Sequence, residues 1–288
     1  MNFHLAATFL GPQFEFPGAG ETALMLLRWI HFIAGIIWIG LLYYFVLINM
    51  PFMQELDAQQ RGFVVPRLMP RALWWFRWSS VVTVLAGLAY WGHIVGSDVH
   101  AAQAVGDPAS VGRVMGSFFL IWTLAFAIEM GMLMSPAEVL RRGAVLGVAM
   151  AIVVIAASYI FLAVNQQGWE SNRLLAIGIG GGLGWFMMLN VWGIVWRMQK
   201  RIIRWTEENA AKGTSMPPEA AKMARLSFLA SMVGFWLSFP MLFFMGAASH
   251  YAIFAAVSTW AAPTYKVVIP TRDFSPRGGT CCCCERSS

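Results

Sequence analysis

Six apolar runs, each long enough to cross a bilayer, dominate this chain: residues 24–50, 73–96, 114–134, 144–164, 174–198 and 226–250. A spanning helix needs about 20 predominantly apolar residues. Lipid offers the backbone no hydrogen-bond partners, so each run must satisfy its own amides as a helix. Of the 288 residues 58% are hydrophobic and only 12% charged, with a mean hydropathy of +0.62. A soluble domain carries about 25% charged residues, and a water-soluble fold of this length could not cover so much apolar surface. The expected fold is therefore all-α, a polytopic transmembrane bundle of about six full spans. A further apolar stretch, residues 252–262, is too short to span alone and meets Pro263.

The basic residues orient the bundle. Segments 51–72, 135–143 and 197–225 hold three, two and seven Lys/Arg, whereas 97–113 and 165–173 hold one each, Arg113 and Arg173. Cytoplasmic loops carry the excess of Lys and Arg. The first set is thus expected inside, and the N-terminus and the tail after His250 outside the cytoplasmic (inner) membrane. Residues 1–23 read as an extracytoplasmic segment, 24–262 as the transmembrane domain and 263–288 as an irregular, disordered tail. No basic region followed by a cleavable apolar core opens the chain, so the first span is expected to direct insertion. The formal charge of +6 is accounted for by the loops and helix ends, and calls for no nucleic-acid partner. The partner it implies is the lipid bilayer.

Many tryptophans, among them Trp29, Trp38, Trp74, Trp75, Trp78 and Trp91, fall near predicted helix ends, which reads as an interfacial aromatic belt. The run GIGGGLG at 178–184 carries small-xxx-small spacings inside a span, and reads as a close helix contact rather than a phosphate loop. All four cysteines lie together, Cys281 to Cys284, so no thiolate chemistry is expected within the membrane and no metal site is assigned.

Ionisable groups at membrane depth are costly and point to function or to a partner. Arg77 lies four residues into the second span and Glu129 five from the inner end of the third, both about 6–8 Å below the inner interface at 1.5 Å per residue. Equal depth on antiparallel neighbours suits a structural Arg77–Glu129 ion pair, the alternative being an Arg77 that snorkels to the headgroups and a Glu129 that faces a wet crevice.

The histidines gather at the opposite face. His31 lies about two turns below the outer end of the first span, His93 near the outer end of the second, and His250 closes the sixth; His100 follows in the outer loop. Tyr90, Gln166 and Glu170 join that layer. Imidazole is a common ligand of haem iron and a proton carrier near neutral pH. Arg28, His31, Gly35 and Trp38 recur at helical spacing on one face, with Gly35 leaving room for a flat ring or a neighbouring helix. Two uses stay open for His31 with His93 or His250: axial ligands to a b-type haem, or catalytic proton-handling groups around a small substrate. Arg28, Trp38 and Gln166 are the candidate substrate-binding residues.

Four blocks carry a family resemblance: 29–45 (WIHFIAGIIWIGLLYYF), 74–87 (WWFRWSSVVTVLAG), 189–203 (LNVWGIVWRMQKRII) and 238–251 (SFPMLFFMGAASHY). In this order they resemble the membrane-embedded N-terminal domain of the bacterial cytochrome c-linked urate oxidases, over about residues 24–260. The resemblance implies oxidation of urate to 5-hydroxyisourate in purine catabolism, with electrons passed to a cytochrome c. Such proteins continue past the SHY segment into further spans and a CxxCH haem-attachment sequence. Here Cys281 and Cys284 have the spacing but Glu285 stands in the histidine position, so no covalent haem c is expected in this chain. A truncation or frameshift within a seventh span is the expectation for the tail. Two other function classes compete: a permease for a purine-like anion, and a non-catalytic membrane anchor for a redox partner. The sequence leaves the oligomeric state open.

Overall fold

The computed structural model describes residues 17–254 apart from 138, 140 and 141. The cysteine block, the remainder of the tail and residues 1–16, with His4, lie outside the described residues. Among those described, every regular element is helical. Helix α1 (Ala19–Tyr43) passes through a π-helical turn (Tyr44–Asn49) into α2 (Met50–Glu55). Then come α3 (Ala58–Ala104), α4 (Val111–Met134), α5 (Gly143–Asn165) and α6 (Asn172–Asn190). A second π-helical turn (Val191–Val195) leads into α7 (Trp196–Lys212), and α8 (Glu219–Ala247) closes the bundle. Six continuous helical segments are long and apolar enough to cross a membrane, one for each predicted run.

Local chemistry sets the boundaries. Asp57 and Gln60 form a reciprocal capping box at the start of α3, with Gln60 N–H donating to Asp57 Oδ1 at 2.7 Å and Asp57 N–H to Gln60 Oε1 at 2.9 Å. Ser171 caps α6 through the Leu174 N–H. Gly213 ends α7 in the left-handed region at φ +67°, where a Cβ is unfavourable. The first π-helical turn has a cause in Pro51, which lacks an N–H and in an α-helix would press on the Leu47 carbonyl. The widened turn, in which Met50 N–H reaches back to the Phe45 carbonyl, lets the helix continue.

Three helices run well past their apolar runs. At 47 residues α3 is about 70 Å long, against a hydrocarbon core of about 30 Å. The basic stretch 197–225, read from sequence as a loop, is helical as far as Lys212. The reason is amphipathicity. Apolarity marks only the part of a helix that meets lipid, whereas the projecting ends of α3 and α7 pack on each other. A Cβ at Gly62 would come within 2.9 Å of the Ala210 Cβ; Ile203 is buried, while Arg204 faces outward and pairs with Glu208 at 3.8 Å.

Helix α6 is the bundle's axis, packed against α3, α4, α5 and α8. The glycine run permits this, as expected. A Cβ at Gly178 would overlap the Phe161 ring, one at Gly182 the Trp122 indole, and one at Gly180 would crowd Phe244 and the Met241 carbonyl. Trp122 Nε1–H donates to the Gly178 carbonyl at 3.2 Å and Trp91 Nε1–H to that of Leu174 at 3.1 Å. The aromatic belt is therefore only part of the tryptophan story. Trp29, Trp74, Trp75 and Trp78 are exposed to lipid or its interface, but Trp38, Trp91 and Trp122 are fully buried in the core.

Contacts fix which ends meet. Asn172 Nδ2–H donates to the Ala248 carbonyl, Ser171 N–H to Asp98, and Asn165 pairs with Ser117. The starts of α4 and α6 thus lie beside the ends of α3, α5 and α8, at the bundle end where α1 begins. That is the His31 end.

Candidate functional site

His31 is anchored where α1 crosses α3. Its Nδ1 lies 2.8 Å from the backbone oxygen of Thr83. A carbonyl can only accept, so Nδ1 carries the proton and Nε2 keeps its lone pair. The ring fits because Gly87, one turn after Thr83, has no side chain; a Cβ there would lie 2.8 Å from both Nδ1 and Cε1 of His31. Gly35, one turn along α1, faces the Thr83 methyl, which would stand 3.6 Å from an added Cβ. Thr83 in turn is tied by its hydroxyl to the Ser79 carbonyl at 2.7 Å.

Beside the imidazole opens a cavity of about 440 Å³ between α1 and α3 on one side and α6 and α8 on the other. Ligand pockets measure about 300–1,000 Å³ and are mostly apolar with a few converging polar groups. This one matches. Gly35 and Gly87 border the His31 wall, Gly181 and Gly184 the facing wall, and Trp38 lies on the lining two turns deeper along α1. Glycines 181 and 184 of the run thus serve a different purpose from 178, 180 and 182, leaving a smooth surface instead of a helix contact.

A second, polar cleft of about 470 Å³ adjoins the cavity, with Arg28 and Tyr90 lining both. It adds His93, Arg173, Glu21 and Asp98. Arg173 Nη2–H donates to the Tyr90 hydroxyl at 2.9 Å, and Asp98 accepts the Ser171 N–H at 3.1 Å. Two guanidinium groups therefore border one cleft directly above the His31 cavity.

The other sequence candidates separate. His93 lines the polar cleft and not the cavity, since Tyr90, His93, Ile94 and Ser97 form the next stripe of α3 around from Thr83, Gly87 and Trp91. His250 is exposed just beyond α8 and lines neither space, and Gln166 is exposed at the end of α5 and lines neither. Among the described histidines, only His31 borders the cavity. Trp38 belongs to the apolar cavity and is absent from the cleft where charged groups converge.

Arg77 and Glu129 do not form the expected ion pair. The Arg77 guanidinium lies over three indoles, 4.0 Å from the Trp196 ring centroid, 5.1 Å from Trp192 and 5.5 Å from Trp78. Glu129, fully buried, accepts from Asn190 Nδ2–H at 2.9 Å, and the same amide donates to the Ala230 carbonyl at 3.0 Å. The physical reason is competition: an aromatic cage holds the cation without desolvating a second charge, and α6 brings an amide to the carboxyl. Trp192 and Trp196, four residues apart on one helix face, were the available signal. Arg173 reads in the sequence as a single loop charge, and Gly87 carries no signal there because a clearance has no composition of its own.

Six helices long and apolar enough to cross a membrane, with an internal cavity beside a cleft bordered by two guanidiniums and two carboxylates, define the class as a multi-pass helical bundle. Residues 56–269 match the family described as urate oxidase N-terminal. The chain belongs to that family, and its function at family level is urate-related. The match takes in Thr83, Gly87, Tyr90, Arg173 and all of α8, and begins after α1, which carries Arg28, His31 and Trp38. No curated protein and no solved structure matches the chain.

Proposed function

We propose that the chain is the membrane redox module of urate oxidation, converting urate to 5-hydroxyisourate in purine catabolism and passing electrons to a cytochrome c. The observation that carries this reading is the junction at Arg28 and Tyr90, where a polar cleft with two guanidiniums opens onto a cavity holding an oriented imidazole. Urate is a planar anion at neutral pH. Arg28 and Arg173 offer it charge-assisted hydrogen bonds in a cleft whose two carboxylates, Glu21 and Asp98, balance their charge, and the Arg173–Tyr90 hydrogen bond holds one of the two guanidiniums at the cleft wall. Conversion of the urate monoanion and water to neutral 5-hydroxyisourate releases two electrons and one proton. His93, exposed and lining the cleft, is the group that takes up a proton there.

The His31 cavity fits a b-type haem by its donor chemistry. The imidazole presents a free Nε2 while a carbonyl holds its other nitrogen, the outer hydrogen bond that orients metal-binding histidines. Glycines clear both walls for a flat ring, and Arg28 would hold its acidic groups. Such a group, when bound, would supply one-electron transfer between substrate and cytochrome. His31 would hold it, Trp38 would wall its inner side, and the apolar lining would exclude water. The positive-inside count supports placing the His31 end, with both chain termini, outside the inner membrane.

The test is a reduced-minus-oxidised visible spectrum of purified protein, with His31→Ala and His93→Ala beside it, followed by urate-dependent reduction of added cytochrome c. A haem signal lost in His31→Ala and kept in His93→Ala, with urate-driven reduction lost in the latter, supports the assignment. Urate uptake into sealed vesicles with a flat spectrum would transfer it to a permease.

A further inference from the structure

We infer that α8 completes the His31 cavity with a thioether, Met245, as the second axial ligand of a haem bound there. The inference rests on the redox reading above and extends it to the ligand set. It starts from the donors available. Among the described residues, the cavity-lining groups besides His31 able to bind iron are the phenols of Tyr43 and Tyr90 and the thioethers of Met241 and Met245. Both phenols are engaged: Tyr43 bonds the Ser238 hydroxyl at 2.9 Å and Tyr90 accepts from Arg173 at 2.9 Å. Neither His93 nor His250 borders the cavity. The sulfurs are the donors left on the wall that faces α1 and α3.

Position favours Met245 over Met241. The Met245 methyl reaches the open floor at Gly181, 3.6 Å from where a Cβ would stand, next to Ile177 and Phe118. Trp91, one turn beyond Gly87, donates to Leu174 on α6, which sets Gly87 and the His31 ring near the level of Ile177 and Gly181. Met241 lies one turn deeper on α8 and is almost fully buried. Met245 is only partly buried, on an unbranched side chain with free rotation, the kind of side chain that adapts to an irregular space.

Histidine–methionine ligation has a functional consequence. A thioether stabilises ferrous iron and raises the reduction potential above that of a bis-imidazole site. An acceptor that must withdraw electrons from urate benefits from that shift.

The experiment uses the purified full chain with its haem, comparing wild type, Met245→Leu, Met241→Leu and Met245→His. The readouts are haem content, the weak sulfur-to-iron charge-transfer band of the oxidised protein at the red end of the spectrum, and the midpoint potential. The expected result is that the band is present in wild type and Met241→Leu, and lost in Met245→Leu with a fall in potential. Met245→His should retain haem with a bis-imidazole spectrum, so a poorly folding leucine variant does not decide the matter. Haem bound without the band in wild type, or a band and potential unchanged in Met245→Leu, overturns the ligand assignment and leaves the redox reading standing. Absence of haem from well-folded wild type overturns both.

Discussion

The Nδ1 of His31 lies 2.8 Å from the carbonyl oxygen of Thr83, fifty-two residues away on the neighbouring helix. One hydrogen bond sets the tautomer of the imidazole and its orientation beside the cavity. It depends on a glycine. With a side chain at 87, the ring and α3 could not approach to this distance.

Gly87→Ala should therefore displace His31. A new Cβ would meet the ring at 2.8 Å, and overpacking of this kind costs about 1–3 kcal/mol. The expected outcome is a lower thermal midpoint in detergent together with a weakened or altered haem spectrum. Gly35→Ala is the control, because its Cβ would find only an ordinary contact at 3.6 Å. Equal damage from both variants would show that Gly87 has no special relation to His31.

How much of this was legible beforehand follows from what each feature depends on. The six spans were readable because apolarity over about 20 residues is a property of one segment. The helix contact at the glycine run was readable for the same reason, and His31 stood out as an ionisable group at depth on a helix face with Gly35. What the sequence could not show were relations between segments. The projecting ends of α3 and α7 are charged and look like loops until Gly62 is found against Ala210. Arg77 and Glu129 have matching depths, yet depth says nothing about azimuth: the last residue of α6, Asn190, reaches Glu129, and Trp192 in the π-helical turn that follows reaches Arg77. His93 and His250 share the His31 layer, but not the helix face that borders the cavity.

The caged arginine gives a sharp energetic prediction. Since Arg77 and Glu129 do not pair, a double-mutant cycle of Arg77→Ala and Glu129→Gln should show additive effects within about 0.5 kcal/mol. The cycle of Arg77→Ala with Trp196→Ala should instead show coupling of about 0.5–2 kcal/mol, the range of a cation–π contact that is partly desolvated. Unfolding in mixed micelles would measure both. Strong coupling to Glu129 and none to Trp196 would restore the ion pair.

Glu129 and Asn190 behave as a buried hydrogen-bonded unit. Glu129→Gln keeps an oxygen to accept the Asn190 amide and should be tolerated. Asn190→Leu leaves the carboxyl oxygen without its donor in a site with no exposure, at a cost of about 1–3 kcal/mol or more. Thermal stability in detergent reads the difference. Equal loss in the two variants would mean that charge, and not hydrogen bonding, holds this part of the bundle.

On the proposed reading the polar cleft captures substrate and the cavity beside it holds the oriented imidazole. Arg173 lines the cleft but not the cavity, whereas Arg28 lines both. Arg173→Ala should raise KM for urate about tenfold, the loss expected for roughly 1.4 kcal/mol of charge-assisted binding, while kcat and the haem spectrum stay near wild type. Tyr90→Phe removes the hydroxyl that accepts the Arg173 hydrogen bond, and should give a smaller change in the same direction, because the guanidinium remains but is less well held. Arg28→Ala should change KM and the spectrum together, since this residue borders both spaces. Steady-state cytochrome c reduction over a range of urate concentrations, with spectra of the same preparations, distinguishes the three. If Arg173→Ala lowers kcat with KM unchanged, Arg173 acts in the chemical step, and the cleft is the reaction chamber itself.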